Sequence, residues 1–66
     1  MDNGIYNVKA IQSYLGFVKG RKYVIDIRKP PHSPYEVFNV EDPNMYFTTA
    51  SEISLKQKFD FGKTAH

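Results

Sequence analysis

Lys22-Tyr23-Val24-Ile25-Asp26-Ile27-Arg28 is the stretch that decides the fold. Tyr23, Ile25 and Ile27 alternate with Lys22, Asp26 and Arg28, and a period of two sets each group on one face of an extended strand. Aromatic and β-branched side chains suit such a pleated, half-buried surface. The same alternation recurs on either side. Tyr6, Val8 and Ala10 interleave with Asn7 and Lys9, and in residues 35–41 Tyr35 and Val37 flank Glu36. The chain reads as all-β, with short strands joined by turns.

The connections are punctuated by glycine and proline. Between the first two strands, Gly16 and Gly20 bracket Phe17 and Val18. That spacing predicts a long loop that folds back and drops an apolar side chain into the core, with Gly20 at positive φ. Lys29-Pro30-Pro31-His32-Ser33-Pro34 cannot be a strand, because proline donates no ladder hydrogen bond, and it reads as a stiff hairpin tip. Glu41-Asp42-Pro43-Asn44 reads as the next turn and Met45-Tyr46-Phe47-Thr48 as a short fourth strand. Thr49-Ala50-Ser51-Glu52 has the form of a capping box in which Thr49 caps and Glu52 reaches back. One short helical turn is expected near residues 50–56. Phe59 and Phe61 then sit on a final strand, so residues 1–61 form one domain and 62–66 a flexible tail. Five short antiparallel strands close most economically as a small, partly open SH3-like barrel, which leaves few free edges. An OB-type barrel needs a longer chain and comes second.

Size and composition narrow the function classes. A chain of 66 residues buries only about 60% of the surface its unfolded form exposes. Chains this short usually lean on disulfides, a metal, oligomerisation or an unusually apolar core. Cysteine is absent, which excludes disulfides and thiolate metal sites and predicts a reducing compartment. The opening MDNGIYNVKA has neither a basic n-region nor an apolar h-region, and no apolar run approaches bilayer length. A cytoplasmic protein is expected. The net charge of +2 is mild but unevenly spread. Lys9, Lys19, Arg21, Lys22, Arg28 and Lys29 crowd the first half, while Glu36, Glu41, Asp42, Glu52 and Asp60 crowd the second. Such asymmetry makes either a basic binding face or two halves that attract each other.

No catalytic constellation is apparent. His32 stands among prolines and His66 ends the sequence, whereas a nucleophilic triad needs a buried, oriented histidine. Two histidines and scattered carboxylates offer no converging metal ligands, so neither metal nor cofactor is expected. Gly62-Lys63-Thr64 mimics the end of a phosphate-binding loop, but Gln57 stands where its upstream glycine belongs. Asp26, Asp42 and Asp60 read as solvated strand positions.

Two binding surfaces are more promising. If Tyr35 and Val37 point inward, Phe38, Val40 and Val24 point outward, and Met45 or Tyr46 joins them. A patch of that size marks an interaction site on a monomer. Val24, Phe38, Val40 and Tyr46 are therefore the expected protein-binding anchors, with Tyr14 and the basic loop as rim, for a target protein or a homodimer. The alternative is a nucleic-acid-binding barrel in which Lys19, Arg21, Lys22 and Arg28 neutralise phosphates and Tyr14 stacks on a base.

Phe17-Val18-Lys19-Gly20-Arg21-Lys22-Tyr23-Val24-Ile25 resembles the F-x-K-G-x-x-Y-x-V element of small SH3-like proteins encoded by phages and prophages of Gram-positive bacteria. In those proteins a hairpin, a Y-x-V-x-[DN]-[DE] strand, an aromatic-rich strand and a closing F-x-F/E strand follow. Tyr35-Glu36-Val37-Phe38-Asn39-Val40-Glu41-Asp42 and Phe59-Asp60-Phe61 fill those slots, so the resemblance spans residues 6–61. The proline-rich tip and Asp42-Pro43-Asn44 depart from the pattern. The resemblance implies the barrel and a viral origin, and it supplies no site residues. It makes the concrete expectation a non-enzymatic effector that binds, inhibits or redirects a host protein, such as a defence protein, in the host cytoplasm.

Overall fold

The computed structural model describes residues 1–62, so all of the expected tail except Gly62 lies outside the described residues. Five strands and one helix follow one another: β1 (Gly4–Ala10), β2 (Lys22–Arg28), β3 (Tyr35–Asn39), β4 (Asp42–Thr49), α1 (Glu52–Lys58) and β5 (Phe59–Asp60). All pairings are antiparallel, in the order β4-β3-β2-β1-β5. The result is one open sheet with β4 and β5 as its edges, where a partly open SH3-like barrel was expected. β5 is two residues long and pairs only with the end of β1, at Lys9 and Ala10, so it cannot bridge to β4. α1 occupies the crossing between the two edges, and its Leu55 is fully buried. No helix among the described residues is long and apolar enough to cross a membrane.

The alternation read from the sequence defines the inner face. Val8, Ala10, Ile25, Ile27, Val37, Phe47 and Phe59 are buried there, with Tyr6, Tyr23, Tyr35, Met45 and Phe61 packed around them. The register aligns Ile27 with Val37 and Val37 with Phe47, so the apolar rows of neighbouring strands meet as cross-strand pairs. Phe17 descends from the β1–β2 loop into the middle of this face. Its ring meets those of Tyr23, Phe59 and Phe47 edge-on, at centroid distances of 4.9, 5.2 and 6.0 Å.

The loop is built to deliver that ring. Tyr14 and Phe17 exchange two backbone hydrogen bonds of 2.9 Å around a two-residue turn in which Leu15 and Gly16 have φ of 46° and 91°, the left-handed geometry of a tight hairpin. The Tyr23 hydroxyl accepts from Val18 N, and Gly20, at φ 91° as expected, donates its N–H to the Ala10 carbonyl. A Cβ at Gly16 would lie 3.4 Å from Met45 Cε. Gly16→Ala therefore combines an unfavourable φ with a tight contact, and it is expected to cost about 1–2 kcal/mol, read as a lower urea midpoint at unchanged m.

Two local expectations need correction. The β3–β4 turn is Val40-Glu41, with Asn39 paired to Asp42 and a register shift after Phe38. Pro43 and Asn44 thus belong to β4, and β3 ends at Asn39. Proline is tolerated there because β4 is an edge. Asn39, although polar, is buried: its Oδ1 accepts from Glu41 N at 2.9 Å and its Nδ2 faces Met45 Sδ at 3.4 Å. The helix cap is Ser51, whose Oγ accepts from Ser54 N at 3.2 Å. Thr49 cannot serve, because it is the last ladder residue of β4, paired with Tyr35 and buried. α1 consequently runs to Lys58, two residues beyond the expected turn.

Candidate interaction face

The residues that alternate with the core form the outer face of the sheet. Across the strands, Ile5 stands opposite Asp26, Asp26 opposite Phe38, and Phe38 opposite Tyr46. The Phe38 and Tyr46 rings stack with centroids 5.2 Å apart and planes 12° apart. Val40 follows in the turn, and its N–H donates to the Val24 carbonyl at 3.0 Å, which draws it to the end of β2. Ile5, Tyr46 and Val40 are 60, 51 and 45% exposed, whereas Phe38 and Val24 are half-buried. A shallow open groove of about 370 Å³ runs among Ile5, Asp26, Phe38, Val40 and Pro43.

A charge lies inside this apolar row. The Asp26 carboxylate, between Ile5 and Phe38, accepts from Arg28 Nη2 at 3.1 Å and Nε at 3.3 Å. Arg28 remains solvated, so the pair is a surface salt bridge of small energetic weight. Its role on this face is positional. It holds a carboxylate acceptor in a groove that Ile5, Phe38, Val40 and Pro43 line together with Arg28, Glu36 and Asn39.

The structure brings together three of the expected anchors, Phe38, Val40 and Tyr46; Val24, joined to Val40 through its backbone carbonyl, lines the neighbouring groove with Lys9, Lys22 and Asp60, and Tyr14 lies elsewhere. Tyr14 packs edge-on against Phe47 of the inner face at 5.1 Å, with Lys58 Nζ 5.0 Å from its ring centroid. Met45 likewise turns inward, onto the core. Ile5 was missed by the sequence reading. It has the parity of Asn7 and Lys9, so an isoleucine there breaks the polar alternation of β1, and that break was the available signal.

The basic residues are split. Lys22 lies at one end of β2, directly opposite Lys9, which faces Asp60 on its other side. Arg28 lies at the far end of the same strand, about 20 Å along an extended chain, and is engaged by Asp26. Lys19 and Arg21 are exposed on the loop. These cations do not line one continuous track. Lys9, absent from the expected set, is the cross-strand partner of Lys22, but Asp60 and Glu41 share their groove of about 450 Å³.

His32 sits at the exposed proline-rich tip with φ 62°, and no group of three or more His, Asp or Glu side chains able to hold a metal occurs among the described residues. His66 and Lys63-Thr64 lie outside the described residues.

On α1, Glu52 is the one carboxyl with a clear electrostatic assignment. Rather than closing a capping box, it accepts from the Met1 ammonium at 2.6 Å and from Lys56 Nζ at 3.1 Å. Those two cations, the Met1 ammonium first, hold its pKa below the usual 4.5. A carboxyl whose folded-state value lies below its unfolded one contributes stability above the unfolded value and loses it as acid titrates the folded one. Stability is thus expected to fall as the pH drops from about 4.5. Glu52→Gln should flatten that limb in thermal unfolding followed across pH 2–6, leaving the remaining carboxylates to set any slope.

Comparison of the chain with family models, curated proteins and solved structures returns no match, and the reading of the outer face rests on its own geometry.

Proposed function

We propose that this chain is a non-enzymatic binding protein that engages a protein partner through the outer face of its sheet, with Phe38, Tyr46, Val40 and Val24 as anchors and Ile5 extending the row. The observation that carries this reading is the stacked Phe38–Tyr46 pair, held on the sheet face opposite a core already complete without it. Aromatic anchors of this kind carry most of the energy in protein interfaces, and Asp26, across the ladder from Phe38, supplies one polar contact to fix orientation. The resemblance of residues 17–25 and 35–42 to small phage proteins makes the partner a host protein, bound stoichiometrically in the host cytoplasm. The strand order, the long β1–β2 loop and the helix ahead of the last strand support placing the sheet among SH3-like barrels.

Affinity capture from a Gram-positive host lysate, run in parallel with the tagged chain and its Phe38→Lys variant, tests the proposal. One protein recovered by the first and lost with the second is the expected result. Identical recoveries, or none, would remove the reading.

A further inference from the structure

The two edges of the sheet are built differently. β5 is two residues long, contains Asp60 and follows Lys58, so it is short and charged, as protected edges are. β4 is eight residues long. Its first part carries Asp42 and Pro43, which deter pairing. Its second part, Met45-Tyr46-Phe47-Thr48-Thr49, has no charge and no proline, and four of its five residues are aromatic or β-branched. β3 pairs with one side of this segment. Among the described residues, the backbone groups of residues 45–49 have no hydrogen-bond partner outside that ladder.

We propose that this edge is where a second copy of the chain adds, β4 against β4, to form a continuous ten-stranded sheet across a two-fold axis. The inference does not require the proposed host partner, because the unpaired backbone of the edge carries it, although Tyr46 of the outer face lies at the joint. An axis perpendicular to the sheet keeps inner faces with inner faces, and only pairings centred on a residue satisfy it. Centred on Tyr46, the ladder sets Asn44 against Thr48 and Met45 against Phe47 of the neighbouring copy. Every such pair is neutral, so no like charges oppose the association. The outer apolar row runs through Phe38 to Tyr46 and stops at this edge. A second copy continues it, setting the two Tyr46 rings side by side and joining two half-rows into one strip.

The small size of the contact makes a weak association the expectation. A five-residue ladder, about 17 Å long and one strand wide, is a much smaller contact than the standard stable interface of roughly 800 Å² per partner. The dimer is therefore weak and dynamic, with a Kd of about 0.1–1 mM.

Sedimentation velocity and amide exchange by NMR, both on the whole chain from about 20 μM to about 2 mM, bracket that constant. The expected result is a monomer–dimer shift, together with slowing of exchange at alternate amides of residues 45–49 by about two- to sevenfold at the high end, the reciprocal of the monomer fraction for that range of Kd. The double variant Asn44→Lys/Thr48→Lys changes two exposed side chains. In the Tyr46-centred ladder it sets lysine against lysine, so it should weaken association about tenfold or more and restore the open-edge exchange rates. A monomer throughout the range overturns the proposal, and leaves the edge free for a foreign strand. A dimer whose 45–49 amides exchange as in the monomer overturns it as well, since the copies would then meet face to face. Both readouts on the unaltered chain hold even if the double variant fails to fold.

Discussion

Phe17→Ala is expected to leave the chain largely unfolded at 25 °C. Phe17 is 1% exposed, although it belongs to a loop rather than to a strand. Its ring touches Tyr23, Phe47 and Phe59, which come from β2, β4 and β5. One side chain thus ties both edges of an open sheet to its centre. Truncating a buried phenylalanine costs about 3–5 kcal/mol, and a single core of this size rarely supplies more than about 3–5 kcal/mol in all. The two quantities are equal within their spread, so the folded population collapses. Far-UV circular dichroism and urea titration read the result. A cooperative transition with a midpoint near that of the unaltered chain would show that the loop is dispensable, and that strand pairing with Leu55 holds the core unaided. Tyr14→Ala is the internal control: Tyr14 sits on the same loop at 39% exposure, and its loss should cost only about 1 kcal/mol.

That prediction rests on a part of the fold that was legible before any coordinates. The period-two pattern located all three central strands and their buried faces. The glycines around Phe17 announced the inward fold of the loop, because glycine at positive φ is a local requirement that composition alone reveals. The features that escaped depend on tertiary partners. Pro43 looks like a turn residue until β4 proves to be an edge with no neighbour to need its donor. Thr49 and Ser51 are equally good caps in sequence, and the ladder partner Tyr35 decides between them by claiming Thr49. Tyr14 reads as a rim residue of the outer face because no periodicity governs a loop. Its ring turned inward because Phe47 and Lys58 offered an edge-to-face and a cation–π contact there. The outer face itself was legible through parity alone. Phe38 and Val24 differ by an odd number from the core residues of their own strands, and a sheet cannot bury both of its surfaces against one small core. What parity could not supply was the alignment between strands, and with it the position of Asp26 beside Phe38.

That alignment governs the choice of variant for the binding face. Aspartate at position 38 would stand directly opposite Asp26, where like charges destabilise by about 0.2–1 kcal/mol, and it would also forfeit the aromatic pair, worth about 0.5–1.5 kcal/mol. In so small a domain, loss of binding by such a variant could not be separated from loss of fold. Phe38→Lys separates them. Its ammonium faces Asp26 across the β2–β3 ladder, so the lost stacking is partly offset by an opposite-charge pair of about the same weight as the penalty it replaces. The monomer should keep its cooperative unfolding, with stability lowered by about 1 kcal/mol or less. Binding should respond on a different scale. Removing a central aromatic anchor costs 2 kcal/mol or more, roughly a 30-fold rise in Kd, and a lysine left on the apolar row adds the desolvation of its charge. Calorimetric titration of the captured partner against both chains gives the ratio, and thermal unfolding of the same samples gives the stability. A 30-fold or larger loss of affinity with the fold intact is the expected pair of results. Unfolding of Phe38→Lys, despite its acidic neighbour, would assign Phe38 to the stabilising core. Unchanged affinity in a folded variant would move the binding site off this face.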